Sequence, residues 1–90
     1  MHRHDTETVR TINRQNALLW LRRVAERPEA FPRSGLTPSG VAASACDLRL
    51  SIELGKRPGE RSVDWLNGVL AGGNLDDVAF AKAVAATLRV

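Results

Sequence analysis

Between Thr37 and Leu54 the apolar residues fall on two lines of one helical wheel, and no other segment constrains the fold as tightly. With successive residues turned by roughly 100°, Val41, Ala45, Leu48 and Ile52 share one line. Ala43, Cys46, Leu50 and Leu54 share another, about half a turn away. The polar residues occupy the strips between, Arg49 and Glu53 on one side and Ser44, Asp47 and Ser51 on the other. A helix apolar on two faces is expected to sit between partners, with both lines and Cys46 inside and only the polar strips at the edges. That reading makes residues 38–54 the central element of an all-α domain of four helices.

The ends of this helix are well marked. Thr37 is a good N-cap, Pro38 suits the first helical position, and Gly55 followed by Lys56-Arg57-Pro58-Gly59 ends the segment. The alternation from Leu48 to Leu54 would also suit a strand, but the cap and the upstream spacing favour a helix. A first helix is predicted from Asp5 or Thr6 to Arg27, stopped by Pro28, with residues 1–5 read as a flexible tail. Its apolar line runs through Val9, Ile12, Asn16, Leu19, Trp20 and Val24, with Leu18, Leu21 and Ala25 widening the buried surface toward its C-terminal half. Residues 28–36 read as a loop anchored by Phe31. A short third helix, Val63–Ala71 capped by Ser62, ends at Gly72-Gly73. Asn74 caps a fourth, whose inward face is Val78, Ala81, Ala85 and Leu88, with Phe80 and Val84 flanking it.

Ninety residues suit one domain spanning the chain, and with 26% charged residues of both signs most of it is expected to be ordered. No apolar run approaches a membrane span, and residues 2–16 are too polar for a signal peptide. One cysteine permits no internal disulfide, so the expectation is a protein of the reducing cytoplasm that does not engage a membrane. Eleven arginines against two lysines, with twelve alanines, is a usage typical of a high-GC bacterial, phage or mobile-element genome.

Residues able to do chemistry are few. Tyrosine is absent, and His2 and His4 stand alone near the N-terminus without the Cys, Asp or His cluster a metal would need. Cys46 has no histidine close in sequence, and Asp76-Asp77 is explained by its place at a helix start. Gly72-Gly73-Asn74 lacks the lysine and preceding strand of a phosphate loop. The expectation is therefore no enzyme, no cofactor and no metal site.

Binding remains. Residues 1–35 carry seven arginines against four acids, and Arg10, Arg14, Arg22 and Arg23 on the first helix form a candidate basic ridge for phosphates. Against it stand interrupting acids and scarce aromatics. Neither residues 38–55 nor 63–88 makes a helix-turn-helix: the first has no turn, and the second would lead with Asp76 and Asp77. Trp20 and Trp65 are of a type that often anchors protein interfaces, although a core role suits them too, and Trp65 is the candidate contact. The sequence therefore points to a small helical inhibitor, adaptor or regulator. It would act through protein–protein contacts, with a phage- or mobile-element-encoded inhibitor of a host complex as the sharpest form. A nucleic-acid-binding regulator using the first helix is the alternative, and a homodimer is compatible with either.

Overall fold

Pro28 sets the end of the first helix, because it disfavours helical geometry at the residue before it. Arg27 accordingly leaves the helix at φ −137° and ψ 64°. In the computed structural model, which describes residues 3–33 and 35–89 and side chains from Arg14 onward within that range, the chain forms four helices and no strand among the described residues. They are α1 (Arg3–Glu26), α2 (Pro38–Leu54), α3 (Glu60–Gly72) and α4 (Leu75–Leu88), with a 3-10 turn at Pro28–Ala30. The domain is all-α. Helix α1 starts earlier than expected, so residues 3–5, read as tail, are helical. His2 and the side chains of His4, Val9, Arg10 and Ile12 lie outside the described residues.

The caps of α2 form as their sequence predicts. Thr37 Oγ1 accepts from the Gly40 N–H at 3.2 Å, and Gly55 takes the left-handed conformation at φ 69°. The cap of α4 also holds, with Asn74 Oδ1 accepting from the Asp77 N–H at 2.9 Å. Helix α3 departs from expectation. It begins at Glu60 with Gly59 as N-cap, and Ser62 lies inside its first turn. The reason is Asp47 of α2, whose Oδ2 accepts from the Gly59 N–H at 2.8 Å and from Ser62 Oγ at 2.7 Å. A carboxylate from a neighbouring helix thus does the work of a local cap, where the helix dipole favours negative charge. At the other end Gly73 is required, since a Cβ there would lie 2.7 Å from the Val69 carbonyl oxygen.

Every aromatic residue of the chain belongs to one cluster. The Trp20 ring stacks on Trp65 with centroids 5.6 Å apart, stacks on Phe80 at 6.1 Å and meets Phe31 edge-on at 6.3 Å. Both indole N–H groups find acceptors, Trp20 on Asp77 Oδ1 at 3.1 Å and Trp65 on the Pro32 carbonyl at 2.8 Å. These rings join α1, α3, α4 and the connector. Around them pack Ala17, Leu21 and Val24 of α1, Val41, Ala45, Leu48 and Ile52 of α2, Leu66 and Val69 of α3, and Ala81 and Val84 of α4.

The buried faces are turned somewhat from the predicted lines. On α1 the inward residues are Ala17, Trp20, Leu21 and Val24, while Asn16 is exposed and Leu19 is 50% exposed. On α4 the buried set is Asp77, Ala81 and Val84, with Val78, Ala85 and Leu88 half-buried. The large flat Trp20 ring explains the shift, since α1 and α4 must both present the side from which Trp20, Asp77 and Phe80 meet.

Candidate interaction surface

Helix α2 has one buried face, not two. The line of Val41, Ala45, Leu48 and Ile52 is buried, as expected, against the other helices. The line of Ala43, Cys46, Leu50 and Leu54 faces outward: Ala43 and Cys46 are exposed, Leu50 is 39% exposed and Leu54 69%. The expectation of a doubly enclosed central helix with an interior thiol is corrected on this point. Ser44 and Ser51, assigned to an edge, are buried instead, and Asp47 between them is half-buried.

The physical cause is the pairing of α2 with α3. Ser51 Oγ donates to the Asp47 carbonyl at 2.8 Å, which satisfies its hydroxyl within its own helix. The Asp47 carboxylate meets Gly59 and Ser62. A polar strip with its hydrogen bonds made can be buried at little cost, and once it faces α3 the second apolar line is directed to solvent. Asp47 is held below the ordinary carboxylate range, first by the Gly59 N–H and then by the Ser62 hydroxyl. Burial opposes the shift, and nearby Lys56 adds to it. Nothing in residue type alone distinguishes Asp47 from a solvent-facing acid, although its place between two small serines was a usable signal.

The other predicted contacts are dispersed. Trp65 is 1% exposed and stacked in the core, so its ring offers no surface to a partner; the cause is its packing on Trp20 together with the Pro32 hydrogen bond. Arg14, Arg22 and Arg23 are exposed. Helical spacing sets Arg14 and Arg23 about 180° apart around α1, so the described arginines do not line one ridge. Arg22 is also engaged, with Nε 3.0 Å from Glu26 Oε1. Arg10 lies in α1, and its side chain is outside the described residues.

Clefts open on the surface among the described residues. Two, of about 270 and 300 Å³, meet at Leu36 and Arg61 between the connector, α2 and the start of α3. A wider trough of about 630 Å³ is lined by Arg57, Pro58, Glu60, Val63 and Asp64. The carboxylate of the 300 Å³ cleft, Asp47, is committed to its two structural hydrogen bonds. Among the described residues no three His, Cys, Asp or Glu side chains gather as metal ligands would, and no helix is long and apolar enough to cross a membrane. Compared with models of protein families, with curated proteins and with solved structures, the chain matches none.

Proposed function

We propose that this is a small, non-enzymatic helical binding protein, an inhibitor, adaptor or regulator, that docks another protein on the outward face of α2. The observation that carries the reading is the exposed line of Ala43, Cys46, Leu50 and Leu54 on a helix whose opposite face is anchored in the core. Single surface leucines are ordinary, but apolar residues aligned along one rigid helix face make the kind of seam that a partner helix or groove covers. The arginine and alanine usage keeps a phage or mobile element acting on a host complex as the sharpest form of this proposal, and a reducing cytoplasm suits an exposed lone thiol.

The spread of Arg14, Arg22 and Arg23 around α1 gives phosphate binding less support. Two variants separate the readings. Leu50→Asp with Leu54→Asp alters the α2 face, and reversal of Arg14, Arg22 and Arg23 to Glu alters the α1 surface. Crosslinking capture in the native host should lose the same partner in the first variant and keep it in the second. Gel-shift titration of the parent should show weak binding to duplex or single strand. Tight, salt-sensitive nucleic-acid binding that disappears in the arginine variant would overturn the proposal.

A further inference from the structure

We propose that the cleft between the connector, α2 and the start of α3 binds a free α-amino acid with an apolar side chain. Ser44 and Asp47 of α2 would hold its ammonium and Arg61 of α3 its carboxylate. Binding there does not require the docking role of α2. Three observations carry it.

The first is a buried hydroxyl without a partner. Ser44 is 4% exposed and lines this cleft, yet its side chain makes no hydrogen bond among the described residues. The other two buried serines are satisfied, Ser51 on the Asp47 carbonyl and Ser62 on Asp47 Oδ2. An unpaired buried hydroxyl is costly, and a ligand in the cleft would remove that cost.

The second is charge. Both structural bonds of Asp47 fall on Oδ2, so Oδ1 is left to accept from the cleft. Its carboxyl is held low, and it carries its charge at neutral pH. Ser44 and Asp47, three positions apart, share one side of α2. Arg61, from the neighbouring helix, lines the same cleft, and neither charge belongs to an ion pair formed among the described residues. A phosphate would be repelled by Asp47 and a simple cation by Arg61. A metal ion would find a single carboxylate. One anion and one cation that face the same space without pairing match a ligand that carries both charges itself.

The third is shape. The remaining wall is formed by Leu36, Gly40 and Ala43, which suits an apolar side chain. A Cβ on Gly40 would stand only 3.3 Å from Leu36 Cβ, so the glycine keeps this wall recessed. At about 300 Å³ the cleft lies at the small end of ligand sites, which favours a small metabolite. A ligand with so few atoms binds weakly and reversibly.

Titration of the isotope-labelled full chain with L-leucine, followed by amide chemical shifts, tests this. Shifts at Gly40, Ala43 and Arg61 should move and saturate by about 10 mM. N-acetyl-leucine lacks the ammonium and leucinamide lacks the carboxylate, and each should bind at least about tenfold more weakly. Ser44→Ala should weaken leucine binding by about tenfold and leave the urea midpoint unchanged, because the hydroxyl has no partner in the chain to lose. Arg61→Gln should erase the preference for leucine over leucinamide. No saturable shifts, shifts scattered away from the cleft, or equal binding of the three probes would each overturn the inference. A Ser44→Ala variant that lowers the urea midpoint and keeps leucine binding would assign the hydroxyl to the fold and overturn it as well.

Discussion

The indole N–H of Trp20 donates to Oδ1 of Asp77 across 57 positions of sequence, at 3.1 Å, and ties the last half of α1 to the first turn of α4. Asp77 also receives, at its own backbone N–H, the capping bond from Asn74. One residue therefore joins the start of α4 to the central aromatic ring of the core. Its carboxylate sits where a helix dipole favours negative charge, and it gives one of the two buried tryptophans an acceptor.

Removing the whole Trp20 ring and removing only its hydrogen bond should have different consequences. Trp20→Ala should destabilise by about 3–5 kcal/mol, because three aromatic partners lose their common neighbour. Trp20→Phe keeps a ring but leaves buried Asp77 without the indole donor, for a cost of about 1–3 kcal/mol. Urea melts of the two variants measure this. A Trp20→Phe variant as stable as the parent would mean that the hydrogen bond contributes nothing beyond the ring.

The two lines of α2 should separate cleanly in a melt performed at low protein concentration. Leu48→Ala, at a position with no exposure, should cost about 2–5 kcal/mol. Leu50→Ala should stay within about 0.5 kcal/mol of the parent, because its side chain already meets solvent. A severe Leu50→Ala would place that line inside and contradict the outward face on which the proposed docking role rests.

Cys46 gives a direct chemical check of the same geometry. In dilute native protein it should react with a thiol reagent at nearly the rate seen after unfolding, because it is exposed. Slow labelling of dilute protein that speeds up in denaturant would mean the thiol is enclosed within the monomer.

Acid should weaken the junction of α2 and α3 through Asp47. Its folded carboxyl is held low by Gly59 and Ser62, so the unfolded chain takes up the proton at higher pH. The stability this provides is complete above the unfolded value, near 4, and is lost as pH falls through the folded one. At neutral pH the contribution is expected to be about 1 kcal/mol, below the usual range for charged hydrogen bonds because water screens a partly exposed carboxylate. Thermal melts of the parent and Asp47→Asn at a series of pH values should show a gap that narrows below about pH 4. A gap independent of pH would remove Asp47 from that role.

The helices themselves were legible in residue order. Thr37-Pro38, Gly55 and Asn74 act through bonds to neighbours a few positions away, so their meaning needs no knowledge of the rest of the fold. The 3.6-residue period likewise marked Val41, Ala45, Leu48 and Ile52 as inward and kept Trp20 and Val24 in the core. Which of two apolar lines would be covered was a different kind of question. Leu50 and Leu48 are equally apolar, and Asp47 and Ser51 equally polar, so composition ranks the faces only until a partner is known. The α3 helix decided it: Gly59 and Ser62 satisfy Asp47, the polar strip turns inward, and the Leu50 line turns out. Hydrophobicity is a property of single side chains and can be summed along a sequence, whereas hydrogen-bond satisfaction belongs to pairs that only the folded chain brings together.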